Sequence, residues 1–255
     1  MKKLYVLVPC YNEEENIGAL VDIWMEQKAG LEDKGYELHI HPIDDCSKDN
    51  TKQVIISKSE EYPGNVELIQ HEVNKNLRGG LNTAIKFFSV NGNDGDLMCI
   101  MDGDNTQSPI YIHDMVSELN SKNVDCVIAS RYRKNSDVTG LAGYRKMMSD
   151  LARIYYTLIL HVPGVRDYTC GYRIYKHNII KKVYEKFGED PIHEKSFACM
   201  MELLYKVYLA GASFSEVGFM LRYDFKKGES KMNVGNTMKN SLKTAIQLRA
   251  KRGMI

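Results

Sequence analysis

Two hydrophobic periodicities alternate over the first 130 residues, and this alternation constrains the 255-residue chain more than any other feature. "KLYVLVP" (3–9) is a continuous apolar run of strand length, and "EENIGALVDIWMEQ" (14–27) follows with apolar residues at helical spacing. "ELHIHPIDD" (37–45) reads as a second strand and "SKDNTKQVIISKS" (47–59) as a capped second helix. "NVELIQH" (65–71) and "RGGLNTAIKFFSV" (78–90) repeat the pattern. "DLMCIMD" (96–102), "SPIYIHDMVSEL" (108–119) and "VDCVIASRY" (124–132) complete it. Strands and helices joined by short connections predict an α/β fold, with a mostly parallel central sheet covered by helices on both faces. Ligands on such a sheet sit at the carboxyl ends of the strands.

After Tyr132 the rhythm changes. "RYRKNSDVTGLAGYRK" (131–146) is polar, basic and Gly-containing, and reads as a mobile loop. An amphipathic helix is expected at about 145–162, then the connector "PGVRDYTCGYRIYK", then helices near 177–187 and 194–210. A last strand (213–221), the basic loop "RYDFKKGESKM" and a basic helix at about 234–252 finish the chain. With no internal repeat or linker, the division expected is one catalytic domain, 1–232, followed by an amphipathic segment, 233–255. A content of 44% hydrophobic and 26% charged residues is that of an ordinary globular domain. The net charge of +1 offers nucleic acid no general attraction, so no such partner is expected. Cys10, Cys46, Cys99, Cys126, Cys170 and Cys199 stand singly, mostly in apolar runs, as reduced thiols of a cytoplasmic protein do. The first apolar run stops at Pro9, which suits a strand better than a signal peptide. "IYYTLILHV" (154–162) falls far short of the roughly 20 residues that span a bilayer, so no membrane-crossing helix is expected.

Acids fall where the fourth and second strands should end. Asp102 and Asp104 flank Gly103, and two neighbouring carboxylates repel each other and are costly to desolvate. A turn or helix cap would use one of them. Mg²⁺ or Mn²⁺ would use both, together with substrate phosphates, and Thr106 and Gln107 could add a neutral oxygen or hold a metal-bound water. Asp44 and Asp45 form a second pair that can accept from a uracil or guanine edge or from a ribose, while Ser47 or Asp49 caps the next helix. Asn12 reads as a helix cap, with Glu13 to Asn16 in the first turn. Gly79 and Gly80 open a helix where backbone can approach a nucleotide closely. Arg131, Arg133, Lys134, Arg145, Lys146, Arg222, Lys226, Lys227 and Lys231 suit a substrate with more phosphate than a metal alone neutralises.

"VPCYNEEENI", "DDCSKDNT", "MDGDNTQSP", "ASRY", "DYTCGYRIY" and "GESKM" occur in the order found in family 2 glycosyltransferases, and over residues 3–250 the chain resembles that family. Within it, the later motifs resemble the dolichyl- and polyprenyl-phosphate sugar synthases. The resemblance implies a GT-A fold and inverting, metal-dependent transfer from a GDP- or UDP-sugar. It assigns Pro9, Tyr11, Glu13 and Asp45 to base and ribose, with Asp44 beside them; Asp102 and Gly103, together with Gly79 and Gly80 at their helix start, are expected at the nucleotide as well. Asp102 and Asp104 match the metal pair and Thr106 a third ligand position. Arg131, Arg145 and Ser149 match residues that grip the lipid phosphate, Asp167 and Arg173 fall in the motif lining the sugar pocket, and Lys231 matches a phosphate contact. The pattern has an Arg where this chain has Phe225, so Arg222, Lys226 or Lys227 is expected to substitute. Peripheral attachment at the cytoplasmic membrane face is implied too, with room for a membrane-protein partner or a homo-oligomer.

The reaction so implied is an in-line displacement at the anomeric carbon. A lipid monophosphate, with a second pKa of about 6, is mostly dianionic at neutral pH and needs no general base. Asp102, Asp104, Arg131 and Arg145 would then carry catalysis by bringing two anions together. A sugar-hydroxyl acceptor, the alternative, demands a base, for which Asp167 is the candidate. A second alternative, an inactive nucleotide-sugar-binding subunit, is disfavoured by the intact Asp102 and Asp104. For membrane contact two stripes qualify. Met147, Met148, Leu151, Ile154, Tyr155, Leu158 and Ile159 are as compatible with core as with lipid. Met238, Leu242, Ala245, Ile246 and Leu248, flanked by Lys239, Lys243, Arg249, Lys251 and Arg252, read as an interfacial helix.

Overall fold

The structure, a computed structural model, describes residues 1–139, 143–222, 224 and 234–250, leaving aside the side chains of 144–146 and 234–239. The first half runs β1 (Lys2–Cys10), α1 (Ile17–Glu26), α2 (Lys28–Asp33), β2 (Tyr36–Asp44), α3 (Thr51–Glu61), β3 (Ile69–Gln70), α4 (Asn76–Asn91) and β4 (Leu97–Ile100). A 3₁₀ turn, Pro109–Tyr111, leads into α5 (Ile112–Ser121) and β5 (Cys126–Ser130). Then come β6 (Asp137–Thr139), α6 (Gly143–Leu160), β7 (Arg173–Lys176), α7 (His177–Phe187), α8 (Cys199–Leu209), β8 (Phe214–Gly218), β9 (Met220–Arg222) and α9 (Val234–Ala250).

Seven strands form the central sheet in the order β3-β2-β1-β4-β7-β5-β8. Every pairing is parallel except those of β7, which runs antiparallel between β4 and β5. Leu4 to Val8 are buried without a break, as a strand covered on both faces requires. Helix α1 turns Ile17, Leu20, Val21 and Trp24 inward at helical spacing. The expected mostly parallel α/β sheet is thus present.

Several local expectations change. The connector "GYRIYK" contains β7, whose burial among other strands left no alternating pattern to read. The strand expected at 65–71 shrinks to Ile69–Gln70 plus an isolated bridge from Val66 to Ile40. The strand expected at 213–221 divides at the buried Phe219: β8 joins the main sheet, and β9 pairs with β6 in a small second one. That pairing puts a strand inside the stretch read as a loop. The helix expected at 194–210 begins at Cys199. All six cysteines are free, five of them buried.

Helices α6 and α9 share out the two apolar stripes differently from the sequence reading. Ala245 and Leu248 of α9 are buried, and the Tyr155 and Tyr156 hydroxyls of α6 donate to Leu242 O (3.0 Å) and Ser241 Oγ. Helix α9 therefore docks on α6 by part of the face expected to meet lipid, although Ile246 stays exposed. Helix α6 instead leaves Met147, Leu151, Ile154 and Leu158 exposed, the last at 75%. Among the described residues no helix is long and apolar enough to cross a membrane.

Candidate active site

The parallel strands all end on one edge, and the inserted β7 begins there, because Arg173 pairs with Ile100 and Ile128. Its antiparallel direction is what delivers residues 167–172 to the same edge as the loops after β1, β2, β4 and β5.

Beyond β4, Gln107 Nε2 donates to Asp102 Oδ2 at 2.7 Å, and its Oε1 accepts from Asp102 N at 3.2 Å. Thr106 donates to Asp104 Oδ1 from Oγ1 (2.7 Å) and from N (3.2 Å). Thr106 and Gln107 are buried and stand behind the two carboxylates as their orienting partners. Gly103 packs on the end of β1, where a Cβ would lie 3.1 Å from Cys10 Sγ. A Cβ on Gly171 would lie 2.8 Å from Asp102 Oδ1, so the 167–172 loop closes tightly on this carboxylate and a side chain there would push it aside. Burial, with Asp167 and more weakly Asp102 adding to it, pushes the neighbouring Cys170 thiol up to about 12, which keeps it protonated and unreactive. Among the described residues no three His, Cys, Asp or Glu side chains form a ready-made cation cage. Two carboxylates with the rest of the shell left to phosphate and water is nevertheless the donor set that Mg²⁺ accepts.

The loops after β1 and β2 brace each other, because Cys10 and Asp44 are paired in the sheet. Ser47 Oγ accepts from Asn12 N (2.9 Å), Asn12 Oδ1 from Lys48 N (2.8 Å), and Thr51 Oγ1 from Glu13 N (2.7 Å). Asn12 and Ser47 thus tie one loop to the other and do not cap their own helices, and Asn12 takes a left-handed φ of 53°. The Asp49 carboxylate accepts from Thr51 N and Oγ1 at the start of α3. Asp44 is buried and accepts from Ser47 N at 3.2 Å. Asp45 Oδ1 accepts from His71 Nδ1 and from Lys75 N, both at 2.7 Å, and His71 Nε2 meets Thr83 Oγ1 at 2.8 Å. His71 is not among the residues expected from the sequence, although it directly follows β3 at the edge where the acids lie. Tyr11 and Glu13 lie in the loop after β1, and the Glu13 carboxylate accepts from Asn16 Nδ2 at 2.8 Å. Gly79 and Gly80 are buried inside the first turns of α4. A Cβ on Gly80 would meet Pro9 Cβ at 2.7 Å, so this glycine lets the helix rest on the strand.

At the exit of β5, Arg131 grips Asp167 with both arms of its fork, Nε to Oδ2 at 2.8 Å and Nη2 to Oδ1 at 2.6 Å. Nη2 also donates to Thr169 Oγ1 at 2.6 Å. Asp167 is fully buried and accepts further from the N–H groups of Arg131, Thr169 and Cys170. Burial alone would raise its carboxyl, but the Arg131 guanidinium and these donors hold it below the usual carboxylate range. Tyr132 links the same corner to α6, its hydroxyl 2.7 Å from Ser149 Oγ, while Arg153 lies 4.8 Å over its ring. Arg145 lies in α6 one turn before Ser149, and its side chain is outside the described residues. Arg173 is buried in the sheet, where its guanidinium donates to Met200 O (2.7 Å) and Tyr168 O (2.9 Å) and ties α8 to the loop. Arg222 N donates to Thr106 O at 3.0 Å, and its side chain pairs with Asp224 at 2.6 Å. The chain after β9 thus leaves from the Asp104 loop, but Phe225, Lys226, Lys227 and Lys231 lie outside the described residues.

A model of the family described as Glycosyl transferase family 2 matches residues 5–184. Polyprenol monophosphomannose synthase of Mycolicibacterium smegmatis is 25% identical over 246 residues, covering 96% of this chain and 86% of that protein. A dolichyl-phosphate beta-glucosyltransferase of Trichomonas vaginalis is 25% identical over 218 residues, 84% of this chain, and the match spans only 64% of that protein. Glucosyl-3-phosphoglycerate synthase from Mycobacterium tuberculosis, crystallised with Mn²⁺, UDP and glucosyl-3-phosphoglycerate, superposes with a TM-score of 0.69 at 14% identity, over 98% of this chain and 80% of that one. This likeness establishes the GT-A fold.

Proposed function

The chain belongs to glycosyl transferase family 2, and from that membership we propose that it transfers a sugar, with inversion, from a GDP- or UDP-sugar to a polyprenyl or dolichyl phosphate. One observation carries the choice of acceptor. The loop that approaches Asp102 at Gly171 also holds Arg131, by a bidentate pair with Asp167, so one segment ties this guanidinium to the edge that carries the carboxylate pair. Asp167, spent on Arg131 and kept ionised by it, is a poor general base, and a dianionic phosphate needs none. This favours a phosphate acceptor over a sugar hydroxyl. The two curated relatives, by name a dolichyl-phosphate glucosyltransferase and a polyprenol monophosphomannose synthase, point the same way.

In this reading Asp102 and Asp104 hold Mg²⁺ or Mn²⁺, with Thr106 and Gln107 fixing their carboxylates, and the mycobacterial synthase of like fold was crystallised with each of these ions and UDP. When bound, the cation neutralises charge on the departing diphosphate. Asp44 and Asp45, with Pro9, Tyr11 and Glu13, face the nucleoside, and Asp45 is aimed by His71 and Lys75 N. Arg131, Arg145, Ser149 and Lys231 receive the acceptor phosphate, and the 167–173 segment with Asp167 and Arg173 shapes the sugar pocket. The lipid tail of such an acceptor stays in the bilayer, so the enzyme works at a membrane surface. The exposed stripe Met147, Leu151, Ile154 and Leu158 on α6, the helix that carries Arg145 and Ser149, suits that contact, with α9 bracing α6 from behind.

A donor panel tests the proposal. Nucleotide release is expected to require both a divalent cation and a short polyprenyl phosphate, and to stop in EDTA. Release that ignores lipid phosphate and follows an added sugar hydroxyl would overturn it.

A further inference from the structure

Glu216 lies in β8, opposite Ile128 of β5, with its side chain sealed from solvent. Its Oε1 accepts from the N–H groups of Arg166 and Asp167, each at 2.7 Å. Its Oε2 accepts from Arg133 Nε at 2.8 Å, and Arg133 Nη2 goes on to Gly164 O at 3.0 Å. Gly164 has a φ of +83°, and a Cβ there would lie 2.8 Å from Phe214 O, so segment 164–167 is laid directly on the backbone of β8.

A buried carboxylate is expensive to desolvate, and an apolar side chain of similar volume would fill the same space without that cost. What the charge secures is therefore the useful question. It secures the main chain of Asp167, the residue whose carboxylate takes both arms of Arg131. The links run from Glu216 to the Asp167 N–H, from the Asp167 carboxylate to the Arg131 guanidinium, and from there to Thr169 Oγ1. Each carries a formal charge on one side at least, which makes it shorter and stronger than a neutral bond.

We propose that Glu216 is a positioning residue for Arg131: by holding the backbone of residues 166 and 167 it fixes the carboxylate that aims this guanidinium at the acceptor phosphate. The inference rests on the reading of Arg131 given above. No feature of "EVGFM" in the sequence signals it, because the partners are brought together only by the β5–β8 pairing and the turn at Gly164.

A mutant cycle on the full chain tests it, with KM for a short polyprenyl phosphate, KM for the nucleotide sugar and kcat measured for Glu216→Gln, Arg131→Ala and the double variant. Glu216→Gln is expected to raise the acceptor KM about tenfold and leave the donor KM within about twofold. Arg131→Ala is expected to raise the acceptor KM further, and the double variant to be no worse than Arg131→Ala alone, because residues acting through one another are not additive. Additive effects, or a Glu216→Gln enzyme with reduced kcat and unchanged acceptor KM, would reduce Glu216 to a structural role and overturn the inference alone. If Arg131→Ala leaves the acceptor KM unchanged, the acceptor reading falls and takes this inference with it. Should Glu216→Gln unfold at the assay temperature, Glu216→Asp, which keeps the charge but shortens the reach, enters the same cycle with the same expectation.

Discussion

Gln107 and Thr106 aim the Asp102 and Asp104 carboxylates from within one short loop, and the aim is as testable as the carboxylates themselves. Replacing Gln107 by Leu removes a donor to Asp102 Oδ2 and an acceptor for Asp102 N while keeping the bulk. Loss of such an orienting partner typically costs about 10–100-fold in metal affinity, so Mn²⁺ binding measured by calorimetry should weaken on that scale with the fold intact. Binding unchanged in Gln107→Leu would detach the loop from metal capture. Far from the edge, His41 presents a different residue-scale prediction. Its ring is buried against Phe87, 4.7 Å between centroids, and neither ring nitrogen has a hydrogen-bond partner. Burial, reinforced by His39 and Lys3, lowers its pKa from 6.5 to about 4. The folded protein therefore prefers the neutral ring. The contribution to stability is complete above the unfolded pKa and is lost as pH falls from about 6.5 toward about 4, amounting to about 3 kcal/mol at the lower end. Urea midpoints taken at pH 7.5 and 5 should differ less in His41→Phe than in the parent, and equal differences would refute the assignment.

Helix α6 and strand β7 are the elements on which the sequence reading and the structure diverge most usefully. For α6 the periodicity was plain, but periodicity does not say which side a stripe faces. Tyr155 and Tyr156 turn toward α9, and Met147, Leu151, Ile154 and Leu158 turn to solvent. Leu151→Gln with Leu158→Gln changes only exposed positions, so melting should move little while sedimentation with anionic liposomes falls severalfold. Undiminished sedimentation of that double variant would move the membrane contact elsewhere. Strand β7 was hidden for the opposite reason. Arg173 is an unexpected residue for a sheet interior, and its burial is tolerated because Met200 O and Tyr168 O receive its guanidinium. A four-residue strand with a charged first position gives no usable pattern, whereas β1 with its apolar run and β2 with its alternation, each nine residues long, are plain.

For the molecule as a whole, what could be read in advance was whatever depends on one segment at a time. The strand-end acids Asp44, Asp45, Asp102 and Asp104 belong to that class, since a strand's exit is visible in its own residues. His71, Glu216 and the bracing of Asn12 against Ser47 belong to the other class, because their partners lie far away in the chain and meet only through sheet order. The same sheet order has a consequence for how the chain is made. Strands β4 and β5 are not neighbours, and the strand between them is synthesised after both. While a ribosome is still short of Arg173, β3, β2, β1 and β4 can pair, but one edge of β4 and the matching side of β5 have nothing to bind. A polypeptide released after residue 172 should therefore retain parallel-sheet structure by circular dichroism yet self-associate through the open edge of β4, and a monomeric 1–172 fragment would contradict this. Asp102 and Arg131 are already present on such a nascent chain, but the strand that joins β4 to β5, the strands they follow, comes after both, so the finished edge is withheld until residues 173–176 have emerged.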